Sequence, residues 1–356
     1  MLKDALLSKR CIMVCGGGGV GKTTIAASIA IAGARVRKRV LVVTIDPAKR
    51  LLQAFGFENA YLQEGGEPMA LSPEVKAKLG LQDEAKLSVA VLNPKYVLKQ
   101  ILEQTLTPEQ GARLSRTVLF TELSQMVYGL QEYTAYEWVT RMIQNNEFDL
   151  IVLDTPPAVH AKDFFGAPDK IKNLMESRVF QLFTHKKNWF ESMLSFNWLE
   201  RLLGHSVFGD SRVFFETFSA LRLRILERCE LLSKFFRNDQ VSVVAVSTLD
   251  SSAGLELQGL TQFLTSKAIQ VETLIVNQVE VAPREEQKDP REALLPPSLR
   301  EKLEVLRRYQ ESLAERDERR LNEFKKQGTS SELIPIAMNY AHDGFEVLRM
   351  SSFQLE

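Results

Sequence analysis

The chain is 356 residues long, with 45 basic against 45 acidic side chains for a formal net charge of zero, and it has only three cysteines. Zero net charge argues against a dedicated nucleic-acid or anionic-membrane binder, which would carry a basic excess, although it does not exclude a local patch. Cys11, Cys15 and Cys229 are too few for a disulfide scaffold, and the N-terminal MLKDALLSKR is no signal peptide, so a cytoplasmic protein is expected.

Short apolar, β-branched runs alternate along the chain with longer helical stretches, the pattern of a mostly parallel sheet with crossover helices. Strands are expected at Cys11–Cys15, Val40–Ile45, Leu87–Leu92, Leu150–Leu153, Val241–Val246, Thr273–Val276 and Leu333–Ile336. Most lack polar alternation, as strands buried on both faces should. The fold class expected is therefore α/β, one domain over 1–356 carrying a helical subdomain formed mainly by 94–145 and 160–236.

The second of those segments reads as several helices broken near Gly166, Pro168, Gly204 and Gly209. Twelve of the twenty Phe lie in 164–236, together with Trp189 and Trp198. The aromatics read either as a groove for an apolar segment of another protein or as the core of the subdomain itself. From Pro283 to Lys326 the chain is charge-dense. Leu299, Leu303, Leu306, Leu313 and Phe324 fall there near helical spacing, which predicts an amphipathic helix packed on the sheet.

The chemistry is carried by Gly16-Gly17-Gly18-Gly19-Val20-Gly21-Lys22-Thr23, which satisfies G-x-x-x-x-G-K-[ST], follows an expected strand and opens an expected helix. Glycines let backbone N–H groups converge on phosphate oxygens, and the helix N-terminus adds partial positive charge. Lys22 then reaches the terminal phosphates, and the Thr23 hydroxyl can ligate Mg²⁺. Such a loop also needs an acid for the metal and a group that handles the attacking water. Phe148-Asp149-Leu150-Ile151-Val152-Leu153-Asp154 is an apolar strand ending in a carboxylate, and Asp154 can hold Mg²⁺ directly or through water. Asp46, at the end of the next expected strand, reads equally as a water-orienting carboxylate or as a helix N-cap followed by Pro47.

Three segments resemble the ArsA-type branch of the deviant Walker A ATPases, which includes arsenite-pump and tail-anchored-protein-targeting members. They are Cys15 through Thr24, Thr44-Ile45-Asp46-Pro47-Ala48 followed by Ala54-Phe55, and Leu153-Asp154-Thr155-Pro156-Pro157-Ala158-Val159-His160 followed by Ala167-Pro168. Asn277-Gln278 resembles that family's base-contacting strand end. The resemblance implies an ATPase whose nucleotide site comprises Gly16, Gly17, Gly18, Gly19, Val20, Gly21, Lys22, Thr23, Thr24 and Asn277. It implies Mg²⁺ on Thr23 and Asp154, and catalytic roles for Lys22 and for Asp46 as the residue positioning water. His160 becomes a switch residue, and two chains close around two nucleotides.

Two departures matter. The family's signature lysine, which reaches the partner's nucleotide, is Gly17 here. The C-x-x-C pair that clamps a zinc-bridged dimer is missing, and one thiol at Cys229 cannot build a four-coordinate zinc site without other ligands. The chain is thus expected as a homodimer, or as a heterodimer with a lysine-bearing paralogue, that couples nucleotide-driven closure to a partner or client of the anion-transport or membrane-protein-handling type, a hydrophobic protein client or a membrane partner. Two alternatives stay open: a positioning switch of the ParA or MinD kind, and a weakly active regulatory subunit.

Overall fold

The computed structural model describes residues 2–36, 39–45, 50–57, 67–116, 130–176, 222–235, 237–282, 292, 294–326, 331–338 and 343–355. Among the described residues eight strands form one sheet in the order β3-β4-β2-β5-β1-β6-β7-β8. They are β1 Cys11–Gly16, β2 Arg39–Thr44, β3 Met69–Ala70, β4 Lys86–Val91, β5 Leu150–Asp154, β6 Val241–Ser247, β7 Val271–Val279 and β8 Glu332–Ala337. Every pairing is parallel except that of β3 with β4. All seven expected strands are present. The eighth, β3, is only two residues long and leaves no pattern to read.

Helices cover both faces: α1 Leu2–Ser8, α2 Lys22–Arg35, α3 Arg50–Ala54, α4 Pro73–Lys78, α5 Pro94–Thr105, α6 Pro108–Ser115, α7 Leu130–Gln144, α8 Ala158–Glu176, α9 over 222–235, α10 Ser251–Ser266, α11 Pro297–Lys326 and α12 Gly344–Gln354. The period-2 alternation of a strand sorts the core into two layers. Ile12 and Val14 of β1 face the cluster built with α1, α2, α3 and α12, whereas Cys11, Met13 and Cys15 face the cluster built with α7, α8, α9 and α10. Among the described residues no helix is long and apolar enough to cross a membrane.

Two expectations are corrected. No break occurs at Gly166 or Pro168, since α8 runs unbroken from Ala158 to Glu176 with Pro168 inside it. A proline there removes one helical hydrogen bond and crowds the preceding turn, at about 3 kcal/mol. Against that, Ala161, Phe164, Phe165, Ala167, Ile171 and Met175 are all buried along α8, and a fully buried Phe alone contributes about 1.5–3 kcal/mol. Packing therefore outweighs propensity. The Phe164 ring centroid lies 4.3 Å from that of Tyr136 on α7 and 5.4 Å from that of Phe165.

The long charged helix is packed on the sheet over only part of its length. Leu321 and Phe324 of α11 pack on the core and Ala314 and Asp317 are buried, but Leu299, Val305, Leu306 and Tyr309 are exposed. Thirty residues of helix extend about 45 Å, whereas the nine residues of β7 and six of β8 span about 30 and 20 Å. The exposed Leu299, Val305, Leu306 and Tyr309 lie in the N-terminal half of α11, and the residues packed on the core lie in its C-terminal half. Of the aromatics in 164–236, Phe164 and Phe165 are buried and Phe235 packs against the core; those in 177–221, and Phe236, lie outside the described residues.

Candidate functional site

Register brings the expected site residues to one edge of the sheet. Val14 and Thr44 both pair with Asp154, and Gly16 pairs with Val246, so β2, β5, β1 and β6 end nearly level with one another. Ligands bind at this carboxyl edge in such sheets. The loop from Gly16 to Gly21 turns the chain from β1 into α2. A Cβ at position 16 would lie 2.1 Å from the Val246 carbonyl oxygen, so only glycine lets β1 end against β6 in this way. Gly21 is the N-cap of α2 with φ +86° and ψ +24°, a left-handed conformation that favours glycine. Being a glycine, it also has no side chain to occupy the first-turn N–H groups. A Cβ on Gly18 or Gly19 would meet nothing within 4 Å, so the outer surface of the loop is clear for a ligand.

Behind the loop the polar groups converge. Lys22 is 9% exposed and its Nζ donates to the Gly17 carbonyl at 2.6 Å. Asp154 is 2% exposed, and its Oδ2 accepts from Thr23 Oγ1 at 2.8 Å and from Thr44 Oγ1 at 3.1 Å. Two hydroxyls donating to one carboxylate oxygen suit the ionised acid, which only accepts. A hydroxyl and a carboxylate are hard oxygen donors, the set that Mg²⁺ prefers, and a buried ammonium a few residues away suits phosphate. The residues present therefore fit a magnesium nucleotide.

Asn277 joins the same site from β7. It is buried, and its Nδ2 donates to the Val20 carbonyl at 2.9 Å, tying the end of β7 to the phosphate loop. Its amide also explains Gly21 a second time, because a Cβ there would sit 2.4 Å from Asn277 Nδ2. Just beyond, Gln278 takes φ +61° at an irregularity in the β7–β8 pairing. The Glu280 N–H then donates to Asp317 Oδ2 at 3.0 Å, which moors the departing chain to α11.

Thr44, Thr155 and Glu256 join the site although no motif assigns them a role. Thr44 holds Asp154 as described. Thr155 donates through both N–H and Oγ1 to the Val14 carbonyl, at 3.1 and 2.9 Å, pinning the chain after β5 to β1. Glu256 of α10 puts Oε2 2.5 Å from where a Cβ on Gly17 would stand. Thr44 and Thr155 flank the quoted acids and could have been suspected from that position; nothing local marks Glu256. His160 begins α8 with an exposed side chain, its N–H donating to the Pro157 carbonyl at 2.8 Å. Asp46 lies outside the described residues.

The thiols belong to the core. Cys11 and Cys15 are fully buried on one face of β1, and burial pushes both up to about 12; burial likewise holds Cys229 at about 12. The 740 Å³ cavity between α10 and β7, walled in part by Leu257, Gln258, Leu274 and Phe324, has no titratable side chain among its described lining residues and stands apart from this chemistry.

The profile of the Anion-transporting ATPase (ArsA) family matches residues 9–316. Similar proteins include two fission-yeast chains named ATPase get3. That of Schizosaccharomyces japonicus is 27% identical over 78% of this chain and 76% of its own length. That of Schizosaccharomyces pombe is 26% identical over 78% and 75%. The protein named ATPase GET3 in Malassezia globosa is 25% identical over 74% and 71%.

Proposed function

The chain belongs to the anion-transporting ATPase family, and we propose that it binds and hydrolyses MgATP at the carboxyl edge of its sheet. The observation that carries this is the buried Asp154 carboxylate held by the Thr23 and Thr44 hydroxyls, beside the glycine loop to whose Gly17 carbonyl Lys22 donates. In this reading Gly16 to Thr24 wrap the phosphates, Thr23 and Asp154 hold Mg²⁺, Asp46 orients water, and Asn277 contacts the base. Mg²⁺ in such a site neutralises charge on the phosphate oxygens. The helices of 94–145 and 160–236 form a subdomain that takes up the nucleotide state and passes it to a hydrophobic protein client or membrane partner. The working unit is a homodimer, or a pair with a lysine-bearing paralogue.

Isothermal titration of the full chain with MgATP tests the site. Lys22→Ala is expected to weaken binding at least about tenfold, as losing a charge-assisted phosphate contact should. Asp154→Asn is expected to remove the dependence of binding on Mg²⁺. Failure of the native chain to bind any nucleotide, or indifference of both variants, would refute the reading.

Gly17 favours a second reading, a regulatory subunit that binds ATP but turns it over slowly, because a cation at developing phosphate charge is worth several powers of ten in rate. Single-turnover hydrolysis compared with nucleotide affinity separates the two.

A further inference from the structure

The loop has a direction that its own contacts reveal. Lys22, which meets the terminal phosphates in the nucleotide reading, donates its Nζ to the Gly17 carbonyl at 2.6 Å. Gly17 therefore marks the terminal-phosphate end. At that end stands a carboxylate from α10, remote in sequence: Glu256 Oε2 lies 2.5 Å from where a Cβ on Gly17 would be. It fills the volume that any side chain at position 17 needs. Glu256 is itself exposed, so the carboxylate sits at an open mouth of the site rather than in the core. Among the described residues no ion pair neutralises it.

We propose that Glu256 is a selectivity residue of the nucleotide site: standing over Gly17, its carboxylate opposes added negative charge at the terminal-phosphate end and tilts the site from triphosphate toward diphosphate. The assignment rests on the nucleotide reading above. Two like charges repel, and a triphosphate brings one more unit of charge than a diphosphate to the place where Glu256 stands. Backbone N–H groups and Lys22 serve both nucleotides, so they set affinity in common, while Glu256 acts on the difference. A cation brought to this mouth by a second chain would cancel the carboxylate and lift the bias, which makes triphosphate binding responsive to assembly.

The geometry supplies two independent ways to take the charge away from position 17, one by deleting it and one by displacing it. Glu256→Gln keeps the shape and deletes the charge. Gly17→Ala keeps the charge but displaces it, because the new Cβ takes up the space at the carboxylate; position 17 is outside the left-handed region, so alanine fits its backbone. The experiment is isothermal titration of the full-length chain and its variants, in Mg²⁺, with ADP and with the non-hydrolysable β,γ-imido analogue of ATP. Glu256→Gln is expected to tighten the triphosphate analogue about tenfold, the order for one charge beside another at a partly solvated surface, and to change ADP less than about twofold. Gly17→Ala is expected to move the ratio the same way and to add nothing in the Glu256→Gln background. A ratio unmoved in both single variants, or effects that add in the double variant, would overturn the assignment. If the native chain binds neither nucleotide, the underlying reading fails; if it binds both and the ratio stands still, only Glu256 is wrongly assigned.

Discussion

The two faces of the sheet are built from different stock. Against β1, β2 and β5 lies α2, whose buried positions include Ala26, Ala27, Ala30, Ala32, Gly33 and Ala34. The opposite face buries Tyr133, Tyr136, Trp138, Met142, Phe164, Phe165 and Met175. Small side chains let a helix backbone approach the strands closely, and α2 is the helix that begins at Lys22. Large side chains instead fill the space beneath α7 and α8. The lesson is a division of labour. The face carrying the phosphate loop gains close placement, which a site needs within fractions of an ångström; the aromatic face gains buried area.

That contrast can be broken from either side. The largest effect is expected from Phe164→Ala, which empties a fully buried position against Tyr136 and should lower stability by about 3–5 kcal/mol in urea unfolding. Nucleotide affinity measured well below the midpoint should change little. A smaller loss with a larger functional consequence is expected from Gly33→Ala. The added Cβ would lie 2.8 Å from Leu150 Cδ2, and overpacking offsets the better helix propensity to leave about 1 kcal/mol of destabilisation. Nucleotide affinity should fall with it, because α2 is pushed off β5; unchanged affinity would show that close placement is not what this face contributes.

The smallest effect belongs to neither face. At the opposite edge of the sheet, Asp149 is held at about 2 by hydrogen bonds from the Arg39 side chain and N–H, below the ordinary carboxylate value. A lowered folded-state value stabilises above the unfolded value near 3.9 and is lost as pH falls from about 4 toward 2. Asp149→Asn should therefore flatten the acid limb of the stability curve in that window and leave stability near pH 7 within the small range of exposed ion pairs.

Much of this organisation is legible in sequence. Seven of eight strands stand out as short apolar runs, and the loop declares itself through spacing that only a backbone cradle needs. Asp154 follows from an apolar strand that ends in an acid. What escaped was decided by tertiary context. Pro168 reads as a break until Phe164 and Ile171 are seen to be buried on either side of it. Which half of α11 packs on the core depends on distant segments, since its apolar residues recur along both halves. Thr44 looks like one more β-branched strand residue, and only the register with β5 sets its hydroxyl on Asp154. Glu256 is one charge on a surface helix until the chain folds it over Gly17.

That last placement has an evolutionary side. In this chain Gly17→Lys would not by itself recreate a free cation, because the new ammonium would emerge beside Glu256 and pair with it inside the same subunit. Lysine at 17 and glutamate at 256 are thus epistatic, each setting the value of the other. A path from this loop to one with a lysine able to reach outward runs through two substitutions, with the change at Glu256 coming first or together with the other.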